Sequence, residues 1–525
     1  MSSPAVAATS PESKGGHPPG LYMLFFAELW ERFCYYGMRA LLAVYVAQLF
    51  MVAKKDAALI YGAYTSLVYA VGIFGGYVAD KVLGYRRSIL LGGTIMAAGC
   101  FTLTVKDQSA FLWGLSLIVV GNGLFKPNIS TLVGKLYGPN DPRRDGGFTI
   151  FYMGINIGAA LAPVLCAWIS NVFPIEVARE ALPPGYEPKP EQILPSGLVL
   201  LPDYRWGFGM AGAGMLLGIL TFRFFQRGLG DKGLTPENRQ GAKWLLCVLA
   251  GCAVTAPCVH FLLSRKDIGG YILLILAIGM LLWFVSLGIK MSAAGDRAGG
   301  QRMYAFLLLL FANMIFWACF EQAGNSLNFF ARDHVSNPGW WDFEYFQSVN
   351  AVYIILLGPV FAWLWVKLAA QDRNPSIPRK FGLGLVQVGL GFVVCNLAIS
   401  MAGPEFRTPF LMLFLVYLFH TTGELCISPV GLSMVTKLAP SHMTGVAMGA
   451  WFLSISCGNY LAGVISAIAG GALDEDKLDK GQIVGADALA AYSSTYAGIA
   501  WFAIVAGALY LLLAKPMNRL MHGIK

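Results

Sequence analysis

The chain is 525 residues long, 56% hydrophobic and only 13% charged, with a mean hydropathy of +0.60; globular domains carry roughly 25% charged residues. That balance excludes a string of soluble domains, because the apolar residues recur in blocks of about 20, the length that crosses a bilayer core as a helix. The net charge of +9 then reads as basic loops on one face of a membrane, with no nucleic-acid partner.

In chain order, residues 1–20 (MSSPAVAATSPESKGGHPPG) are polar and lack the apolar stretch of a cleavable leader, so they read as a disordered cytoplasmic tail. Apolar spans follow at 21–50, 58–80, 87–105, 110–136, 147–171, 205–226, 242–263, 269–290, 303–331, 346–368, 381–402, 409–438, 444–471 and 490–515. Fourteen spans return both termini to one side. Of the 38 Lys and Arg residues, 23 fall on that side, 12 on the other, and Arg32, Arg39 and Lys126 lie within spans. The bias places the termini in the cytoplasm. The expected fold is an all-α membrane protein with an N-terminal six-helix bundle over 21–227 and a C-terminal one over 302–517. An extra pair at 242–290, nearly free of intramembrane charge, lies between them. The Pro-rich segment 175–204 is expected outside and 228–241 inside. The ten cysteines all sit in apolar spans with no CxxC pair, and read as small packing residues rather than disulfides or metal ligands.

A charge at the bilayer centre costs about 2.5–3.5 kcal/mol on insertion scales, so intramembrane ionisable residues face a polar interior and pair. In AELWERFCYYGMR (27–39) the residues Glu28, Glu31, Arg32, Tyr35 and Arg39 fall on one helical stripe, with Tyr36 beside it. The stripe runs about 16 Å at 1.5 Å per residue, longer than a single structural ion pair needs. Lys126, Asn156, Glu321, Asn350 and Glu424 add further polar groups at membrane depth. The buried charges are four acids (Glu28, Glu31, Glu321, Glu424) and three bases (Arg32, Arg39, Lys126). An excess carboxylate in a partly dehydrated cavity is suited to carry a proton reversibly, and salt bridges between the two halves are suited to act as gates. His420, one turn before Glu424, is a candidate proton partner, with a packed core histidine as the commoner alternative. Tyr35, Tyr36, Tyr69, Trp317 and Trp451 are candidates to line a pocket, ordinary helix packing being at least as common for each.

Four motifs carry a family resemblance. ELWERFCYYG (28–37) is similar to the ExxERFxYYG signature of the proton-dependent oligopeptide transporter family, within the major facilitator superfamily. FYMGINIG (151–158) resembles its FYxxINxG motif and GELCISPVG (423–431) its motif on the tenth core helix, while GGYVADKVLGYRR (75–87) resembles the superfamily's loop between helices two and three. The resemblance implies a major facilitator fold importing di- and tripeptides with protons as the coupling ion and no other cofactor. The extra pair matches bacterial members, implying a bacterial inner membrane; the carrier is expected to function as a monomer. It further implies that Arg39 and Lys126 take the peptide carboxylate, and that Glu424, Asn156 and Asn350 take the amino terminus. The aromatic set would shape the cavity. Glu28, Glu31 and Arg32 would handle the proton, and Glu321 would exchange partners with Arg39 during gating, alongside Lys126 and Glu424. Animal members carry a histidine on the second helix where this chain has Gly62, so coupling here would rest on the carboxylates, with His420 as a possible aid.

Other function classes fit less well. No GxxxxGK[ST] loop occurs, which disfavours an ATP-driven pump, and the six histidines are scattered without ligand spacing, which disfavours a metalloenzyme. A channel gives no reason for opposed charges from two halves. A transporter of nitrate, drugs or other small solutes in the same superfamily, or a non-transporting peptide sensor, remains the alternative.

Overall fold

Backbone amides in hydrocarbon must be satisfied within the segment, so apolar runs of this length become helices. The computed structural model describes residues 16–50, 54–138, 141, 143–182, 188, 192–440, 443–471 and 485–524. Its membrane-length helices are α1 (Pro19–Phe50), α2 (Lys54–Val78, continued by a π turn at Ala79–Leu83), α3 (Tyr85–Thr102), α4 (Gln108–Lys135), α5 (Arg144–Val172), α6 (Tyr204–Phe225) and α7 (Ala242–Ser264). They continue with α8 (Lys266–Ala293), α9 (Arg297–Phe320), α10 (Phe346–Ala370), α11 (Ile377–Ser400), α12 (Phe410–Leu438), α13 (Thr444–Gly471) and α14 (Gly485–Leu512). Aspartates cap several starts: Asp107 accepts from the Ala110 amide at 2.7 Å before α4, and Asp296 from the Gly299 amide at 2.8 Å before α9. Interior prolines, Pro127 in α4 and Pro429 in α12 among them, are tolerated as is usual in membrane helices.

Two hydrophobic cores form. One gathers α1–α6 around residues such as Phe33, Leu41, Phe111 and Phe208, and the other gathers α9–α14 around Phe306, Phe316, Phe392 and Tyr496. Within the first, α3 packs on α4 at glycine contacts: a Cβ on Gly92 would stand 2.6 Å from the Gly121 carbonyl oxygen, and one on Gly121 2.5 Å from that of Gly92. This explains α3 itself, whose composition falls short of the apolar content of the other spans. Its burial comes from close backbone packing rather than from bulky side chains.

The extra helices divide between the bundles. On α7, His260 stacks on Trp113 of α4 with ring centres 4.5 Å apart. On α8, Phe284 meets Phe306 of α9 at 5.2 Å, and Gly270 abuts the Tyr460 hydroxyl of α13. Both helices leave large apolar side chains exposed, Leu246, Val254, Ile275 and Leu282 among them.

Two expectations need correction, and one loop adds a detail. The span at 303–331 is not continuous: α9 ends at Phe320, a 3-10 turn covers Glu321–Gly324, and a short helix resumes at Ser326–His334. The loop at 175–204 carries a short antiparallel pair, Ile175–Val177 with Val199–Leu201, a local addition to an otherwise all-helical fold. Most of the expected disordered tail lies outside the described residues, but 16–20 are docked: Pro19 opens α1, the Arg143 guanidinium donates to the Gly16 carbonyl at 2.7 Å, and His17 Nδ1 lies 2.9 Å from the Tyr137 hydroxyl. The cysteines are all unbridged; most are buried, but Cys247 and Cys258 are exposed on α7.

Candidate functional site

The polar stripe of α1 is the first wall of the site. Glu28, Glu31 and Arg32 are all buried. Arg32 Nε lies 3.3 Å from Glu28 Oε1 and also donates to Glu31. Glu31 Oε1 accepts from Asn122 Nδ2 of α4 at 2.9 Å. Among the described residues, Glu28 Oε2 and Arg32 Nη2 are buried without a hydrogen-bond partner. A buried charge cluster with unused hydrogen-bonding capacity is costly unless it does something beyond holding the fold.

Two helical turns further along α1, the Arg39 guanidinium reaches across to the other bundle. Its Nε donates to the Tyr61 hydroxyl at 2.5 Å and its Nη2 is ion-paired with Glu321. The helix break after Phe320 is what delivers that carboxylate. Gly324, in the same turn, is where a Cβ would collide with the Tyr61 hydroxyl, so the missing side chain makes room for the Arg39–Tyr61–Glu321 cluster.

Lys126 sits one turn beyond Asn122 on α4, with Nζ 4.4 Å from the centre of the Tyr69 ring on α2. Among the described residues it makes no ion pair with Glu424. That carboxylate accepts from Asn350 Nδ2 at 3.0 Å, and the same amide lies 3.0 Å from the Thr421 hydroxyl. The Arg39 guanidinium stands 5.8 Å from the centre of the Tyr36 ring, so each of the two cations faces a tyrosine of the N-terminal bundle. Asn156 donates to the Tyr152 carbonyl on its own helix at 3.0 Å. Trp317 is half-buried, its indole N–H donating to Asn313 at 3.1 Å, and Asn313 donates in turn to the Ser454 hydroxyl at 2.9 Å.

Tyr35 is buried beside the α1 stripe, its ring centre 5.3 Å from the Arg32 guanidinium and 5.3 Å from the Tyr36 ring. Two residues sit differently from expectation. Trp451 fills the space left by Gly431 and packs near Phe381, so it belongs to the C-terminal core instead of a cavity wall. His420 is fully buried, against Gly391 and between the Phe320 and Phe392 rings, a setting for a packed histidine rather than a proton partner of Glu424. Asn122 and Tyr61 were missed by sequence reasoning. The spacing of Asn122 to Lys126 on one helical face was a usable signal; Tyr61 carried none.

The bundles meet on the side of the α1–α2 connection. Lys54 pairs with Asp333 at 2.7 Å, Asn325 donates to the Ala58 carbonyl at 3.1 Å, Asn328 to that of Ala40 at 3.0 Å, and Ser456 to that of Ser66 at 2.9 Å. Tyr204 donates to the buried Glu344 at 2.8 Å, and Asn171 to Asp342 at 3.1 Å. At Gly62, where a histidine would stand in animal relatives, α2 meets α13 backbone to backbone: a Cβ there would lie 2.8 Å from Gly463 Cα.

Comparison with known proteins gives a consistent picture. The family model described as the POT family matches residues 86–473. A peptide transporter of Yersinia enterocolitica, YePEPT, is 34% identical over 97% of this chain and 96% of its own. Dipeptide and tripeptide permease B of Salmonella typhimurium is 30% identical over 98% of both. The crystal structure of a variant of peptide transporter POT in complex with alafosfalin superposes with a TM-score of 0.76 at 32% identity, covering 98% of this chain and 97% of that one.

Proposed function

The chain belongs to the POT family, and from that premise we propose that it is a proton-coupled symporter importing di- and tripeptides by alternating access between its two bundles. The observation that carries the proposal is the arrangement of opposed charges. Cations on α1 and α4 (Arg39, Lys126), each beside a tyrosine ring (Tyr36, Tyr69), come from the N-terminal bundle, and a carboxylate with its amide on α12 and α10 (Glu424, Asn350) comes from the C-terminal one. A short peptide is a zwitterion, and a site with opposite charges at its two ends holds it by the termini that all peptides share. Side-chain selectivity is then weak, with Tyr36, Tyr69 and Trp317 forming adaptable walls.

The mechanism follows from the same groups. The Arg39–Glu321 pair fastens the bundles on the outer side. A peptide carboxylate competes with Glu321 for Arg39, and a proton on Glu321 removes the charge that would otherwise be stranded when the pair parts. The Glu28–Glu31–Arg32 cluster offers a second place to take a proton, because it holds two carboxylates against one guanidinium. Proton loading and peptide binding each weaken one side of the same set of contacts, which is the differential interaction that alternating access requires. The reading places the protein in a bacterial inner membrane, as a monomer with cytoplasmic termini, in keeping with the bias of Lys and Arg.

The test is uptake of labelled dialanine into proteoliposomes with and without an inward proton gradient, challenged with unlabelled tripeptide or with nitrate. Accumulation that needs the gradient and is displaced by tripeptide supports the proposal. Displacement by nitrate alone, or no accumulation under any gradient, overturns it.

A further inference from the structure

Outside the central site, the N-terminal bundle and α7 enclose a cleft of about 450 Å³. Its walls are Val71 and Val78 of α2, Val120 and Leu124 of α4, and Val248 and Gly251 of α7. Its α7 wall belongs to a helix that leaves Leu246, Leu249 and Val254 exposed, so the cleft opens toward acyl chains rather than water. An unfilled apolar cleft would forfeit the dispersion contacts of its whole lining.

The end of the cleft nearer the 228–241 loop is marked by Trp244, which is half-buried in its wall. Two cations surround that indole: the Arg239 guanidinium stands 3.5 Å from the ring centre and Lys243 Nζ 5.4 Å from it. Among the described residues neither cation makes an ion pair. Lys81, on the π turn that follows Val78, is exposed on the same side. The acids nearby do not balance this charge. Asp80 accepts from the Tyr85 hydroxyl and Asp231 pairs with Lys232 at 3.3 Å, which leaves the exposed Glu237. An indole at the interface, flanked by unpaired cations and opening into an apolar slot, matches a phospholipid in both of its parts.

We infer that the cleft between α2, α4 and α7 binds one phospholipid with an anionic headgroup, drawn from the leaflet on the side of the chain termini. Its acyl chain lies along Val71, Val120 and Gly251, and its phosphate is held by Arg239 and Lys243 beside Trp244. The lipid thereby becomes part of the contact between α7 and the N-terminal bundle. This gives the extra hairpin a chemical role of its own, independent of the peptide site.

The experiment uses the full chain in vesicles of equal parts phosphatidylglycerol and phosphatidylcholine, extracted gently, with retained lipid quantified by mass spectrometry. Juxtamembrane cations contribute about 1 kcal/mol each toward anionic lipid, so with two of them the wild type is expected to retain phosphatidylglycerol over phosphatidylcholine by roughly thirtyfold. In Arg239→Gln/Lys243→Gln the preference falls to parity while the total retained lipid is unchanged. Gly251→Leu fills the cleft, since a Cβ at Gly251 meets nothing within 4 Å, and it loses both lipids while keeping the wild-type thermal transition. Parity in the wild type, a preference that survives the double substitution, or undiminished retention in Gly251→Leu overturns the inference.

Discussion

Arg39 concentrates the chemistry of the site because it serves both bundles at once. Its side chain is 11% exposed and that of Glu321 3%, and removing one partner of a buried pair costs about 3–5 kcal/mol. Glu321→Gln is therefore expected to favour parting of the outer faces. Spin labels at the exposed Lys106 and Trp340 should move apart in this variant; an unchanged distance distribution would remove Arg39–Glu321 from the closure. Trp451 supports a different expectation. Packed against Gly431 in the core, it should cost stability and not selectivity when cut to Phe, by about 1–3 kcal/mol given the range for large-to-small core changes. A competition series of dipeptides should rank as in wild type, and a reordered series would return Trp451 to the cavity wall. At this scale the stripe on α1 was legible because helical spacing alone aligns Glu28, Glu31, Arg32 and Arg39. Trp451 was not, since its surroundings depend on which glycine of another helix makes room for it.

Two places on the helices decide how the bundles meet. The break at Glu321–Gly324 turns a carboxylate out of the line of α9 and toward Arg39, as discontinuous helices do at transporter sites. No proline announces it, so the run 303–331 reads as unbroken; only the pair Gly324–Asn325 hinted at a stop. The second place is Gly62 against Gly463. A histidine at this position has no room while the outer faces are closed, because the neighbour is backbone and cannot swing aside. Gly62→His is thus expected to slow peptide uptake about tenfold or more, overpacking typically costing 1–3 kcal/mol. Uptake equal to wild type with the outer labels still close would show that α2 and α13 separate more easily than their packing implies.

For the whole molecule, hydropathy carried the number of spans, since that follows from bilayer thickness. Even the helix with the weakest apolar signal, α3, was found at 87–105, close to its observed Tyr85–Thr102. The partners across the interface, Lys54 with Asp333 and Tyr204 with Glu344, were out of reach because they join segments far apart in sequence. So was the placement of the extra hairpin, with α7 held by the first bundle and α8 by the second. That placement makes the hairpin a bridge that must flex at Arg265 whenever the bundles rock, and an anionic lipid behind α7 would fix one end of it.

The central claim is that the buried charges of α1 bind the coupling proton. It is tested most directly by comparing gradient-driven accumulation of labelled dialanine with counterflow exchange in wild type and Glu31→Gln. The account predicts that the variant loses accumulation while exchange persists, because the peptide site is intact and only the proton step is gone. Accumulation retained in Glu31→Gln would contradict it and move the proton to another carboxylate.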